Sequence, residues 1–261
     1  MKPIATMSSA EAAGIRYVLM DIDDTLTTNG RLSAAAYTAL WDLHEAGLIV
    51  IPITGRPAGW CDLIAREWPV DGVVGENGAL VFWVEDGKGK QEFHPNAVRN
   101  DNHVLQKVKE RAIAEVNGIR IAKDQFARLF DIALDFAEEE PVLPLEAAEK
   151  VNAIALEEGA IAKISSIHVN VWIGDYNKLS MTEIFLQKRF GWTKNDDHSV
   201  LFAGDSPNDE PMFERFPIAC GVASVRRYGS LITHLPAYIS QNDNGEGFAE
   251  IAETFLRQRL C

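Results

Sequence analysis

The sequence predicts an α/β protein whose core is a doubly wound parallel sheet, interrupted by an inserted α+β domain. Three observations carry that prediction. Residues 17–20 and 48–53 are continuous apolar runs without alternation, as in strands covered on both faces, and 199–203 reads as a buried strand again. The stretches between them have helical spacing and helix-end signals. From about Trp83 to Tyr176 the pattern changes to strict alternation, the mark of an antiparallel sheet with one packed face and one wet face.

In chain order, residues 1 to about 14 read as a loose lead-in, and the fold begins at Tyr17. A crossover helix follows, capped by Ser33 and stopped at Gly47, with Tyr37, Leu40, Trp41 and Leu43 at helical spacing. The second strand ends in Thr54-Gly55-Arg56. Pro57 suits the first turn of the next helix, through Cys61, Ile64 and Trp68. A third short strand over 71–74 leads into Gly75-Glu76-Asn77-Gly78-Ala79. Three β-then-α units in succession imply right-handed crossovers and a parallel sheet. A hairpin is expected from 79–85 and 91–94 around Asp86-Gly87-Lys88-Gly89.

Within the alternating region, 126–136 reads as one strand, which places Arg128 and Asp131 on opposite faces. The acidic run 138–140 reads as solvated. A helix over 145–158 has Leu145, Ala148, Val151 and Leu156 on its apolar side. Next, Ser166, His168, Asn170 and Trp172 alternate with Ile167, Val169, Val171 and Ile173. The chain returns to the core with a helix from Lys178 to Gly191 and the strand 199–203, which ends in Gly204-Asp205-Ser206-Pro207-Asn208-Asp209. Helix 210–216, strand 217–222, the apolar pair Tyr238-Ile239 and a helix over 247–260 complete it. The expected division is a core of 1–82 and 177–261 with an inserted domain of 83–176.

With 261 residues, 47% of them hydrophobic and 24% charged, the chain is an ordinary globular protein. A formal net charge of -13 argues against nucleic acid or an anionic membrane as partner. Cys61, Cys220 and Cys261 are odd in number and far apart, which indicates neither a disulfide framework nor a zinc site and makes the cytoplasm the default compartment. No secretory leader and no apolar run long enough for a membrane span is apparent.

The first strand delivers Asp21, Asp23 and Asp24 to its C-terminal end, the edge where open α/β sheets bind ligands. On extended chain Asp21 and Asp23 leave on the same side, and two such carboxylates repel unless a divalent cation sits between them. The pattern predicts a hard metal held by oxygen, Mg2+. Thr54 with Arg56, Lys178, and Asp205 with Asn208 and Asp209 fall at the ends or starts of the other core elements.

These stretches, DIDDT, ITGR, the ENGA turn, Lys178 and GDSPND, resemble the motifs of the haloacid dehalogenase superfamily. The resemblance extends over essentially the whole chain and is nearest to its Cof-type subgroup (IIB), with a Rossmann-like core and an α/β cap inserted between the second and third motifs. It implies Asp21 as nucleophile and Asp23 as acid/base. It also implies Thr54 and Lys178 as phosphoryl-binding catalytic groups, and Mg2+ held by Asp21, the main-chain carbonyl of Asp23, and Asp205. Asp209, with Asn208, would orient the lysine or the metal's waters. Two departures stand out: Leu179 follows Lys178 where the subgroup has glycine, leaving Lys163 as a substitute, and Asp24 replaces a glycine. The expected substrate is a small phosphorylated metabolite, a sugar phosphate, bound by Thr54, Gly55, Arg56 and Asn208, with His168, Asn170 and Trp172 on the cap's polar face. A phosphotransferase or mutase built from the same residues, or a binding protein that has kept the fold, are the alternatives.

Overall fold

The computed structural model describes residues 1–165 and 167–260; the expectation attached to Ser166 therefore lies outside the described residues, as does Cys261. The chain runs β1 (Lys2–Pro3), α1 (Ser9–Gly14), β2 (Tyr17–Met20), β3 (Thr27–Thr28), β4 (Arg31–Leu32), α2 (Ala34–Glu45), β5 (Ile49–Pro52) and α3 (Ala58–Glu67). It continues through β6 (Val73–Gly75), β7 (Leu80–Glu85), β8 (Lys88–Phe93), α4 (His103–Glu115), β9 (Arg120–Ile121), β10 (Ile132–Asp135), α5 (Leu145–Glu157), β11 (Ile161–Ile164) and β12 (His168–Trp172). It closes with α6 (Lys178–Phe190), β13 (Val200–Gly204), α7 (Glu210–Arg215), β14 (Ile218–Gly221), β15 (Tyr238–Ile239) and α8 (Asn244–Arg259).

The core is a parallel sheet in the order β1-β15-β14-β13-β2-β5. Its apolar runs are explained by burial on both faces. Val18 and Met20 face α2 and α8, whereas Tyr17 and Leu19 face α6 and α7. Helix α2 starts and stops where the sequence indicates: Ser33 Oγ accepts the Ala36 amide, and Gly47 takes a positive φ of 73°. Trp41, expected on its apolar side, is exposed.

Several expectations are corrected. The first residues are not a loose lead-in. Lys2–Pro3 adds an edge strand beside Tyr238–Ile239, Ile4, Met7 and Ala12 are buried, and Ser8 with Glu11 forms a capping box on α1. The third strand, β6, lies parallel beside the end of β5 but is not a full member of the core sheet. It pairs antiparallel with β7 in a separate sheet β6-β7-β8 and touches the core sheet through one bridge, Ile53 to Val74. The hairpin turn is Asp86-Gly87 alone, both at positive φ.

The second sheet, β11-β12-β10-β9, is antiparallel and carries its own apolar cluster under α4 and α5. The buried side of α5 is Ala147, Ala148, Val151, Ile154 and Ala155, while Leu145 and Leu156 point to solvent. The single strand expected over 126–136 is in fact a 3-10 turn (Lys123–Ala127), a connector and only then β10. Its opposite face is not wet either. His168, Asn170 and Trp172 are all buried, and Trp172 joins the same apolar cluster as Cys61 and Phe82 of the core. We propose that the inserted unit begins after β8 rather than at residue 83, which lies inside β7, and ends before α6. No helix among the described residues is long and apolar enough to cross a membrane.

Candidate active site

The C-terminal ends of β2, β5 and β13 converge with the start of α6. The ladder continues one residue past β2, the Asp21 amide donating to Ala203 O at 2.9 Å, which fixes Asp21 inside the sheet edge. Beyond it the chain turns: the amides of Leu26 and Thr27 both donate to Ile22 O, and Asp24 sits at φ 59°. That turn separates the first two aspartates. Asp21 is buried, whereas the Asp23 side chain is 46% exposed and receives a two-pronged hydrogen bond from Arg56, with Nη2 at 2.8 Å. The two carboxylates thus have different partners, Lys178 for Asp21 and Arg56 for Asp23, while Asp23 stays close enough to raise the Asp21 pKa.

Asp21, Asp205 and Asp209 form a buried trio whose nearest oxygens lie within 4.8 Å of one another. Lys178 Nζ donates to Asp21 at 2.5 Å and to Asp209 at 3.1 Å. Thr25 Oγ1 donates to Asp205 at 3.2 Å, and the amides of Asp205 and Ser206 donate to Asp209 Oδ2. Gly204 makes the tight approach possible, since a Cβ there would stand 2.5 Å from Asp209 Oδ2. Burial, opposed by Lys178 and reinforced by Asp209 and Asp23, pushes the Asp21 carboxyl up to about 7. Asp205 is raised well above the carboxylate range by burial and then by Asp209 and Asp21. Burial works against the Lys178 ammonium, but Asp209 and Asp21 outweigh it and its pKa is raised.

The departure noted at Lys178 has a local explanation. Asn177 is the N-cap of α6, accepting the Ser180 amide at 2.9 Å, and Ser180 Oγ closes a capping box by accepting the Asn177 amide. Lys178 is thereby the first helical residue, thrown inward, while Lys163 is exposed on β11. The signal was legible as Asn177-Lys-Leu-Ser180.

Thr54 is buried at the end of β5, its amide on Val74 O and its hydroxyl accepting the Arg56 amide at 3.1 Å. Gly55 packs against Asn77, whose Oδ1 would lie 3.1 Å from an added Cβ. Asn208 accepts from Ser206 Oγ at 2.8 Å, so of the pair Asn208 and Asp209 only the latter touches Lys178. The cap residues are engaged elsewhere: His168 Nε2 with Glu138 at 2.8 Å, Asn170 Nδ2 with Asp131 at 2.9 Å, and Trp172 against Tyr176. The acidic run is thus not wholly solvated. Arg128 and Asp131 are brought together at 3.0 Å instead of standing on opposite faces, because the backbone there is not a strand. Glu76, which the sequence presented only as part of a turn, accepts hydrogen bonds from the main chain of both the core and the inserted unit.

Residues 18–114 match the family model of haloacid dehalogenase-like hydrolases. Over that segment the chain is similar to haloacid dehalogenase-like hydrolases. The matched segment holds Asp21, Asp23, Thr54 and Glu76, and solved structures extend the likeness in fold to the rest. A Thermoplasma acidophilum protein aligns with a TM-score of 0.74 at 21% identity, over 95% of this chain and 99% of its own. A haloacid dehalogenase superfamily phosphatase from Bacteroides thetaiotaomicron gives 0.65 at 18%, over 95% and 96%. The sucrose-phosphatase of Synechocystis sp. PCC6803, solved with sucrose and phosphate, gives 0.62 at 15%, over 92% and 97%. At these identities the structural likeness establishes the fold alone. No curated protein matches the chain in sequence.

Proposed function

We propose that this protein is a hydrolase of the haloacid dehalogenase type, a magnesium-dependent phosphomonoesterase acting on a small phosphorylated metabolite, a sugar phosphate, through an aspartyl phosphate. The observation that carries the reading is the Asp21, Asp205 and Asp209 trio, two members of which pair with the buried cation Lys178. Three hard oxygen donors with excess negative charge and raised carboxyl pKa values suit Mg2+. When bound, that ion supplies charge neutralisation between the nucleophile and the phosphate.

In the proposed reaction an Asp21 oxygen attacks phosphorus, and the bond from phosphorus to the ester oxygen breaks. Asp23 gives the leaving alkoxide its proton. Asp23 then takes a proton from water, whose oxygen attacks the phosphorus of the aspartyl phosphate. The bond from Asp21 to phosphorus breaks, and inorganic phosphate leaves. Thr54 and Lys178 hydrogen-bond the transferring oxygens, and Asp209 orients Lys178. Asp23 must part from Arg56 for this work, which releases the guanidinium toward the substrate. Arg56 lies over the half-exposed Trp60 ring at 5.3 Å, so the rim beside Asp23 offers a cation and an aromatic plane for a sugar phosphate.

The test is phosphate release from a panel of sugar phosphates, with and without Mg2+, for the native chain and Asp21→Asn. Magnesium-dependent release that disappears in the variant is expected, with free phosphate and dephosphorylated sugar as products. Release that persists in Asp21→Asn would overturn the nucleophile. Transfer to a second sugar in place of water would make the protein a phosphotransferase.

A further inference from the structure

Glu76 belongs to no part of the proposed chemistry, yet it is fully buried at the junction between the core and the inserted unit. Its carboxylate is saturated by main-chain donors. Oε1 accepts the amides of Ala58 at 2.9 Å and Leu129 at 2.8 Å, and Oε2 accepts those of Phe130 at 2.7 Å and Asp131 at 3.2 Å. A carboxylate offers about four lone-pair sites, and here all are taken. One donor comes from the first turn of α3 and three from the connector that precedes β10. A glutamine could keep two of these bonds at most, and its amide hydrogens would then face the other donors.

The backbone around Glu76 takes an uncommon path. Glu76, Asn77 and Gly78 have φ values of 43°, 56° and 105° in succession, a left-handed run that only glycine adopts without cost. Each residue of the run reaches a different part of the candidate site. The Glu76 amide donates to Arg56 O at 3.0 Å, and the Asn77 amide donates to Thr54 O at 3.1 Å. Gly78 lies against the main chain of Asn177, where a Cβ would stand 2.0 Å from the carbonyl oxygen, directly before Lys178. From the other side, Arg128 Nη1 donates to Gly55 O at 3.1 Å while bonding Asp131, which in turn receives Asn170.

We infer that Glu76 is a positioning residue that couples the seating of the inserted unit to the geometry of the phosphoryl-binding groups. By fixing 129–131 against α3, it holds the connector on the Thr54–Arg56 loop, and the same turn sets the approach of the α6 start that presents Lys178. Substrate closure and assembly of Thr54 with Lys178 are then one event, not two. The catalytic half of this inference rests on the phosphatase reading above.

Amide hydrogen exchange and kinetics on the full chain, for Glu76→Gln and Glu76→Asp, decide it. The aspartate keeps the charge but is one methylene short of spanning both partners. In both variants, exchange at Leu129, Phe130 and Asp131 should accelerate by about tenfold or more, while Val169 and Val171 in β12 stay as slow as in the native chain. kcat/KM for the best sugar phosphate should fall roughly 10- to 100-fold, the worth of one hydrogen bond to a charged group, with the aspartate variant less impaired. Unchanged exchange at 129–131 overturns the proposal, as does accelerated exchange with native kinetics. Acceleration spread over β12 as well would assign Glu76 to fold stability alone and overturn it too. Exchange needs no substrate, so accelerated exchange in a chain that hydrolyses nothing would remove the phosphatase reading and retain the seam.

Discussion

Two buried ionic clusters in this molecule have the same composition and opposite character. At the strand ends, Asp21 and Asp209 share one cation, Lys178, and Asp205 completes the trio. At the seam, Asp131 and Asp124 share one cation, Arg128, and Glu76 lies beside Asp131. Both carry three carboxylates to one positive side chain, and burial pushes Asp21 and Glu76 alike up to about 7. The difference lies in what else touches the oxygens. Glu76 alone takes four main-chain amides, whereas among the described residues the strand-end trio takes two, both on Asp209, with Asp21 accepting from Lys178 and Asp205 from a threonine hydroxyl. Fixed amide dipoles satisfy the seam's central carboxylate without an ion. The strand-end cluster keeps an excess of negative charge that a mobile dication suits. Burial and charge count do not separate a structural cluster from a catalytic one; the kind of donor does.

The sharpest way to break the comparison is to remove one carboxylate from the strand-end cluster. Asp21→Asn should lower phosphate release by at least about 10³-fold. In chelator, its urea midpoint should be no lower than that of the native chain, because the change relieves repulsion while Lys178 keeps Asp209. A marked loss of stability would mean that the trio is structural. Removing the cation of the seam should do the reverse: Arg128→Met leaves Asp131 and Asp124 without a countercharge and should cost about 3–5 kcal/mol in urea unfolding.

pH separates the clusters further. Asp21 has a folded pKa of about 7 against an ordinary 3.8, so the folded chain binds more protons than the unfolded one between those values. Its contribution is fully present below about 3.8 and is lost as pH rises through 7, on the order of a few kcal/mol in the absence of metal. Thermal melts in chelator should therefore fall between about pH 4 and 7 more steeply for the native chain than for Asp21→Asn. Mg2+ should flatten the native slope by stabilising the ionised trio. Equal slopes for the two chains in chelator would refute the excess-charge picture. The smallest effect is expected at Lys163. Lys163→Ala should leave activity within about twofold and stability within about 0.5 kcal/mol, since the side chain is exposed. Lys178→Met, by contrast, should cost about 10²-fold or more.

What could be read from the sequence were features whose cause is local. Continuous apolar runs report burial on both faces of a strand, and so β2, β5 and β13 were legible together with the residues at their ends, Asp21, Thr54 and Asp205. The helix-end chemistry of Ser33 and Gly47 is likewise settled within a few residues. Tertiary structure decided the rest, because the partners are distant in sequence. The first residues are ordered by the strand Tyr238–Ile239, and β6 pairs along its length with β7 while keeping one parallel bridge to β5. Residues 128–131 fail to be a strand while Glu76 takes the amides of 129–131, and that same detour unites Arg128 with Asp131. Alternation correctly marked His168, Asn170 and Trp172 as one face, but whether a face is wet depends on what packs against it. Period is a property of the chain; the occupant of a face is a property of the fold.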